Sequence, residues 1–520
     1  MKRKTTAAFI ALIMSAQIFS GSFSVSASSQ RNNLYGDCNG DEQVNVFDSI
    51  RLKQELMYSG AVDSENQIYG DCDNDLKITW KDYEGLSQHI LEDKAFSQWA
   101  LKGWYNDGVD TYYYNDASKL TGDQNIFGIK YRFQADGKFR TGLFNSNGSL
   151  YYADSSGFPI GGWKNIDNRK YYFGESDGKA CTGNQKINSG HYYFDNNGVM
   201  KTDWQNLPTI VDTSTALYTY DNMTAQINKL CQQYPGLLKV NVLTQTYDQR
   251  NIYDVVFGNP NAKNQIVVQA SCHGREYMTS MLVMNQLEFY LKNYYSLSYN
   301  NESFESIFSD MCVHIVPMLN PDGVSISQFG ADIINKLDMR AALYDMYRFD
   351  LAHNITSLSQ PQYFIKWKAN SRGVDLNRNF HSFWTSDRPV KNPSSSGFPG
   401  ECAASEIETQ TLEKLVNSLP SLKMVLSYHS SGSYIYWAFG QTGEFRTRCQ
   451  DMAQTIKQLT GYYLISGEDY DSGASNWVAG KGIIAETIEI GTGDSPLVLS
   501  EFADIFNRNK YVWAAIANKF

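Results

Sequence analysis

The chain has 520 residues, too many for one ordinary hydrophobic core, and points to two to four domains. With 55 acidic against 45 basic residues the formal net charge is −10. This excludes nucleic acid as a main partner, because phosphate binding needs a Lys/Arg-rich surface. At 42% hydrophobic and 19% charged the composition is globular, and its excess of Tyr (35) and Gly (39) proves local.

The first residues read as a signal peptide spanning 1–27. Lys2, Arg3 and Lys4 supply a positive start, Ala7 to Ile18 an apolar run, and Val25-Ser26-Ala27 a small-residue cleavage site. The apolar run is shorter than the roughly 20 residues a membrane span requires. The expectation is a secreted, extracellular protein, whose eight cysteines are free to form disulfides of undetermined connectivity.

Next, over 33–93, one short pattern occurs twice. Asp37, Asn39, Asp41, Asn45 and Asp48 place oxygen-bearing side chains at positions 1, 3, 5, 9 and 12 of a loop. Asp71, Asp73, Asp75, Thr79 and Asp82 repeat the spacing. Gln43 and Lys77 at position 7 offer backbone carbonyls. That is the ligand arrangement a hard cation such as Ca²⁺ takes, and two copies predict two structural Ca²⁺ ions. A helical stretch follows each loop, Ser49 to Gln54 and Tyr83 to Ile90. The duplicated loop-helix resembles a type I dockerin, which implies a cohesin domain on a scaffold protein as partner. Position 6 departs from the pattern, with Glu42 and Leu76 where Gly is usual. Cys38 and Cys72 occupy matching positions, as a disulfide or as two small buried residues.

Residues 101–206 carry the Tyr and Gly excess with a period near twenty. Aromatic clusters recur at Tyr113-Tyr114, Tyr131 to Phe133, Tyr151-Tyr152, Tyr171 to Phe173 and Tyr192 to Phe194, most followed by a polar Gly turn. Short aromatic strands joined by tight turns predict β-hairpins stacked as a solenoid. The segment resembles the cell-wall-binding repeats of choline- and glucan-binding proteins, which implies a cell-wall or glucan ligand. Trp104, Trp163 and Trp204 are irregularly spaced, and the same rings also serve as plain solenoid core.

From 208 to 520, apolar β-rich runs alternate with helical ones. Ile266 to Ala270, Val313 to Val316 and Met424 to Tyr428 read as strands; Met278 to Tyr294 and Glu406 to Leu419 read as helices. The whole chain is therefore multidomain: a small α-helical Ca²⁺ module, a hairpin repeat, and an α/β domain with a mixed sheet flanked by helices.

His273 and Glu276 follow the strand ending at Ala270, where open α/β sheets place their sites, and their spacing lets both reach one metal. A second His is needed among seven. His314 lies inside an apolar strand, and His353 and His381 sit in polar stretches. His429 closes the strand Met424 to Tyr428 and is selected. His273-x-x-Glu276, Asn320-Pro321-Asp322-Gly323, Asn377-Arg378-Asn379-Phe380, His429-Ser430 and Glu489 then occur in the order of the zinc carboxypeptidase family, with its carboxypeptidase A-like fold. The resemblance implies peptide hydrolysis at free C-termini, of proteins or of peptidoglycan stem peptides. It implies one catalytic Zn²⁺ held by His273, Glu276 and His429, and Glu489 as general base ahead of its neighbour Glu486. It implies Asn377 and Arg378 as the clamp for the substrate carboxylate, suited by the guanidinium fork. Arg275 matches an outer subsite and Tyr470 the residue that caps bound substrate. Lys368 and Arg372 both match the cation that steadies the oxyanion. Ser475 takes the floor of the specificity pocket, where its neutrality favours neither basic nor bulky apolar side chains.

Overall fold

The computed structural model describes residues 36–520 except 42, 59, 61, 63–66, 73–76, 93–102, 107–109, 116–117, 205 and 467–471. The expectations for the signal segment, for Asp73, Asp75, Glu42 and Leu76, and for Tyr470 lie outside the described residues. Among those described, no helix is long and apolar enough to cross a membrane. The chain divides into two compact units. One holds the described residues up to Trp163 with Phe173–Ala180, the other Lys164–Tyr172 with Cys181–Phe520.

In the first unit, two helices follow the duplicated loops, α1 (Val46–Tyr58) and α2 (Trp80–Glu92). Each carries the last acidic residue of its loop in its first turn. Asp48 is fully buried and accepts from the backbone N–H groups of Cys38 (2.9 Å), Asn39 (3.1 Å) and Asn45 (2.8 Å). Asp82, equally buried, accepts from the Thr79 N–H (2.7 Å) and hydroxyl (3.0 Å). These carboxylates satisfy donors that the helix start leaves open and favour the positive end of the helix dipole. Leu52 and Leu86, four residues further on, meet Val62, Cys38 and Cys72 in one small core. Both cysteines are buried and unbonded.

The repeat region forms hairpins with the aromatic runs on their second strands: Gly122–Ile126 with Ile129–Phe133, and Gly142–Ser146 with Ser149–Ala153. Their two-residue turns, Phe127-Gly128 and Asn147-Gly148, hold both residues at positive φ (52° and 81°; 49° and 76°). This mirror-image turn matches the twist of the strands it joins. Trp104 stands at the centre of an aromatic group, 5.2 Å from Tyr131 and 4.8 Å from Phe139 between ring centres. It keeps 44% of its surface exposed. The Lys119 ammonium covers the face of Tyr112 at 3.5 Å, a cation–π contact made within the chain.

The second unit is built on an eight-stranded mixed sheet. Its strands are β1 (Leu238–Gln245), β2 (Asn251–Gly258), β3 (Asn264–Ala270), β4 (Met311–Val316), β5 (Leu422–Ser430), β6 (Tyr434–Ala438), β7 (Tyr463–Ser466) and β8 (Ile484–Ile490). Their order is β1-β2-β4-β3-β5-β8-β6-β7. The centre, β4, β3, β5 and β8, is parallel, whereas β1-β2, β2-β4 and β8-β6 are antiparallel. The parallel strands are buried on both faces, which is why β3 reads as a nearly continuous apolar run. Ile266, Val268 and Ala270 enter one core and Val267 the other. The first core is covered by the helix Met278–Lys292, of which twelve residues are buried.

The hairpin sheet Gly183–Ile187, Gly190–Phe194 and Met200–Asp203 also belongs to this unit. Trp204, at its end, is 8% exposed in the first core and donates its Nε1–H to the Leu291 carbonyl at 3.1 Å. The His191 and Tyr295 rings stack at 4.1 Å. Trp204 is thus core of the second unit, although its aromatic surroundings read as part of the repeat.

Candidate active site

β3, β5 and β8 end side by side, and their C-terminal ends carry the predicted residues. In the parallel register Tyr428 lies opposite Ala270 and His429 opposite Glu489. His273 follows β3 by three residues and opens the turn Gly274–Glu276. That turn needs Gly274, because a Cβ there would fall 2.3 Å from the Gly323 carbonyl oxygen. Gly323 belongs to the motif Asn320-Pro321-Asp322-Gly323, whose physical use is now visible. Asn320 is fully buried and donates from Nδ2 to the carbonyls of Cys272 and Ala369, each at 3.1 Å. It ties the His273 loop to the segment bearing Lys368, and the Gly274 N–H to Lys368 carbonyl bond (3.0 Å) does the same.

His273, Glu276 and His429 are 2–3% exposed and converge. His273 Nδ1 lies 2.8 Å from Glu276 Oε1, His429 Nδ1 is 2.9 Å from Glu276 Oε2, and the two Nδ1 atoms are 3.1 Å apart. The other nitrogen of His273, Nε2, is 3.2 Å from Asp375 Oδ1. A proton on Nε2 held by that carboxylate leaves the Nδ1 lone pair facing inward, the tautomer that metal ligation requires. Two imidazole lone pairs and a carboxylate directed at one point fit a divalent cation such as Zn²⁺. Burial alone would raise the Asp375 carboxyl; Lys368 and His273 override it and hold the group well below the usual carboxylate range.

Glu489 lines the same cavity, whose volume is about 630 Å³. Burial raises its carboxyl to about 7, against the lowering effect of His429. Glu486 takes the opposite face of β8. It is fully buried, both its oxygens lack partners, and burial pushes its carboxyl well above the ordinary range. The two glutamates are therefore distinguished by the two-residue period of the strand.

Asn377 and Arg378 lie in one short turn, Leu376–Arg378, in the cavity wall. Asn377 Oδ1 accepts from the Ala474 N–H (3.1 Å), and the Ser472 hydroxyl donates to the Arg378 carbonyl (2.7 Å). Arg275 and Ser475 line the cavity too, and the Ser475 hydroxyl meets that of Thr487 at 2.7 Å.

The two oxyanion candidates separate. Lys368 lines the cavity with Nζ 3.9 Å from Asp375. Arg372 is directed at Glu406 (3.4 Å) and the Tyr247 hydroxyl (3.1 Å), with its guanidinium 5.0 Å over the Tyr247 ring. That environment commits its donors outside the cavity. Of the other histidines, His314 pairs with Asp254 at 3.1 Å and His381 with Glu413 at 2.8 Å, while His353 stacks on Phe349. Sequence reasoning did not assign a site role to Asp375, Lys366, Tyr436 or Asp494. For Asp375 a signal existed, a lone acid two residues before the Asn377-Arg378 pair. The other three are gathered by the fold from a helix end, a strand and a loop.

In the first unit, Asp37, Asp41 and Asp48 bring carboxylate oxygens within 4.8 Å of one another, a set that suits a cation. Asn39 lies among them, donating to Asp41 at 3.0 Å, and Gln43 and Asn45 follow in the same loop. Of the second loop, Asp71 and Asp82 are buried, Thr79 is partly buried and Lys77 exposed.

The family model for zinc carboxypeptidases matches residues 223–486, that for dockerin type I domains 35–91, and that for choline-binding repeats 160–203. Among relatives, the chain is 29% identical over 299 residues to gamma-D-glutamyl-L-diamino acid endopeptidase 1 of Lysinibacillus sphaericus, spanning 56% of this chain and 69% of that protein. It is 22% identical over 308 residues to carboxypeptidase B of Astacus astacus, covering 55% and 90%. A crystal structure of thrombin activatable fibrinolysis inhibitor aligns over 60% of this chain and 77% of that one, at 18% identity and a TM-score of 0.46. With a family model matched over half of its length, the chain belongs to the zinc carboxypeptidases, a zinc metallopeptidase that also carries a dockerin type I domain and a choline-binding repeat.

Proposed function

We propose that this is a secreted metallopeptidase that hydrolyses an amide next to a free carboxylate, with peptidoglycan stem peptides as its substrates. The observation that carries the reading is the buried triad His273, Glu276 and His429 with Glu489 in register beside it and Arg378 in the same cavity wall. The three triad residues would hold one Zn²⁺, which supplies Lewis acidity to polarise the scissile carbonyl and acidify a water. Glu489 accepts the proton of the attacking water and returns it to the leaving nitrogen. Lys368 faces the developing negative charge on the carbonyl oxygen. Arg378 takes the substrate carboxylate through its planar fork, and the Asn377 amide assists. Arg275 contributes to an outer subsite, and Tyr470 caps the bound substrate.

The wall-peptide reading is supported by the likeness to a gamma-D-glutamyl-L-diamino acid endopeptidase and by the choline-binding repeat. The catalytic domain is assigned to 208–520, the repeats to 101–206 as a stacked solenoid for a cell-wall or glucan ligand, and the dockerin to 33–93. The dockerin binds two Ca²⁺ ions and tethers the enzyme to a cohesin of a scaffold protein. Product analysis of the zinc-loaded full chain, on wall peptides beside unmodified C-terminal peptides, tests the proposal. Cleavage of the γ-glutamyl-diamino acid bond is expected. Release of single amino acids from ordinary C-termini alone counts against the wall substrate, and no hydrolysis of either counts against the enzyme mechanism.

A further inference from the structure

We infer that the cavity contains a second carboxylate site, facing the residue on the N-terminal side of the scissile bond, and that Lys366 is its selecting residue. The inference rests on the proposed wall-peptide reading and deepens it.

The argument begins with charge. Four cations line the cavity: Arg275, Lys366, Lys368 and Arg378. Cleavage beside one terminal carboxylate employs two, Arg378 for that carboxylate and Lys368 for the carbonyl oxygen. Two remain. Lys366 donates from Nζ to the Ser495 carbonyl at 2.8 Å, which uses one of its three donors, and it pairs with no carboxylate among the described residues. Arg275 has its Nε buried without a hydrogen-bond partner. Asp494 is an exposed part of the same wall and makes no ion pair with either. A lysine with no carboxylate partner, beside the outer-subsite Arg275 in a concave, partly desolvated site, favours an anionic ligand group.

Connectivity places Lys366. Ser495, which holds it, bonds from Oγ to the Ser430 hydroxyl (2.7 Å) and carbonyl (3.1 Å). The Ser430 N–H in turn donates to Glu276 (3.2 Å). Lys366 is therefore fastened to the chain just beyond His429. Arg378 is fastened elsewhere, its carbonyl accepting from the Ser472 hydroxyl, while its neighbour Asn377 accepts from the Ala474 N–H at the start of the helix Ala474–Gly480. The triad is joined to both: Ser430 reaches Glu276, and the Arg378 N–H donates to the carbonyl of Asp375 (2.9 Å), whose carboxylate meets His273 (3.2 Å). A substrate with its terminal carboxylate at Arg378 and its carbonyl at the triad continues toward Lys366.

What carboxylate can reach that position follows from covalent chemistry. In an α-linked peptide the α-carbonyl is consumed by the scissile amide, so only an acidic side chain supplies a carboxylate. In a γ-linked glutamyl residue the side-chain carbonyl forms the scissile amide, and the α-carboxylate stays free beside it. Lys366, a compact charge on a flexible stem, accepts a carboxylate without demanding one plane of approach. The γ-glutamyl α-carboxylate is the ligand that meets both the charge and the position.

The test uses the zinc-loaded full chain and two acid–amide pairs. One pair is γ-D-glutamyl-L-lysine peptide with a free α-carboxylate beside its α-amide. The other is an α-linked peptide with Glu or Gln before the scissile bond. In the γ-linked pair the wild type should favour the acid by roughly 10- to 100-fold in kcat/KM, the range for a hydrogen bond to a charged group. Lys366→Gln should cost the acid at least tenfold more than the amide, and Lys366→Arg should keep most of the preference. Equal rates of the wild type on acid and amide, or equal losses on both in Lys366→Gln, overturn the inference. If neither γ-linked peptide is cut, the wall-peptide reading fails separately, and the α-linked pair decides. A Glu-over-Gln preference abolished in Lys366→Gln then supports the carboxylate site with an acidic side chain as its source. Equal use of Glu and Gln refutes the site.

Discussion

Replacing Glu489 by Gln is the sharpest test of the catalytic assignment. The substitution keeps shape and removes the ability to take a proton. Glu489 stands opposite His429 in adjacent parallel strands, so its backbone is about 4.8 Å from that of a proposed metal ligand, yet it is outside the converging donor set. Zinc content should therefore stay at one per chain. A positioned general acid–base contributes about 10²- to 10⁴-fold, or about 3–5.5 kcal/mol of transition-state stabilisation, and turnover should fall by that factor. Burial raises the Glu489 carboxyl to about 7, so the neutral amide removes no favourable charge and folding should be unimpaired. Glu486→Gln is the internal control. Its buried carboxyl already favours the neutral form and both oxygens lack partners, so stability should change by about 1 kcal/mol or less, with full activity. Initial rates on a C-terminal peptide, with metal content by atomic absorption and a thermal melt, read all three quantities. Glu489→Gln retaining more than a tenth of wild-type kcat at full zinc would sink the assignment.

Arg378→Ala should lower kcat/KM on a substrate with a free terminal carboxylate by about 2–5 kcal/mol in free-energy terms and far less on its C-terminal amide; equal losses would mean that Arg378 does not select free C-termini. His429→Ala should lose zinc, since it removes one of three converging donors; a metal-replete variant contradicts that role. Chelation of Ca²⁺ from the full chain should raise amide hydrogen exchange across 36–58 and 67–92, because the acidic loops of that module would be left with unneutralised charge; unchanged protection refutes Ca²⁺-dependent folding. Burial pulls the His314 imidazolium down, but Asp254, helped by Cys312, overrides it and raises the pKa from 6.5 to about 9. The folded value exceeds the unfolded one, so about 3 kcal/mol of stability is present below pH 6.5 and is lost as pH rises through 9. Melting of the full chain between pH 6 and 9.5 should show this decline for the catalytic unit, and Asp254→Asn should flatten it; identical slopes remove His314 as the cause.

The strands were legible because parallel strands buried on both faces leave continuous apolar runs. Ile266 to Ala270, Val313 to Val316 and Met424 to Tyr428 all fall inside observed strands. The order of those strands is another matter. β3 is flanked by β4 and β5, and residue 422 starts the strand beside residue 265, a pairing set by packing across long loops rather than by local pattern. The edge of the repeat was concealed for a related reason. Trp204 sits in the same Tyr- and Gly-rich context as Trp104, yet one indole is half exposed among repeat rings and the other fills the core beside the helix Met278–Lys292. Local composition is identical for an aromatic that stacks on its own hairpin and one that docks on a neighbour; only the partner differs.

The site followed a similar division. The converging donors were legible because metal chemistry restricts residue type and because strand ends fix where side chains project, so seven histidines reduced to two candidates. Lys368 and Arg372 were not separable, since residue type favoured one and the preceding Trp367 the other. Backbone geometry places the two differently. The carbonyl of Lys368 accepts from Gly274 and its neighbour Ala369 accepts from Asn320, which presses this segment against the metal-bearing turn. Arg372 lies within the turn closed by the Asn370 N–H to Val374 carbonyl bond and is directed at Glu406. Asn320 and Gly323 thus join the loop that carries His273 to the segment that carries Lys368. Enlarging Gly323 would drive a Cβ to 2.4 Å from the Ala369 carbonyl oxygen. The strain would fall on the segment that carries Lys368, the proposed oxyanion cation, so a motif with no reactive group of its own still bears on the candidate site.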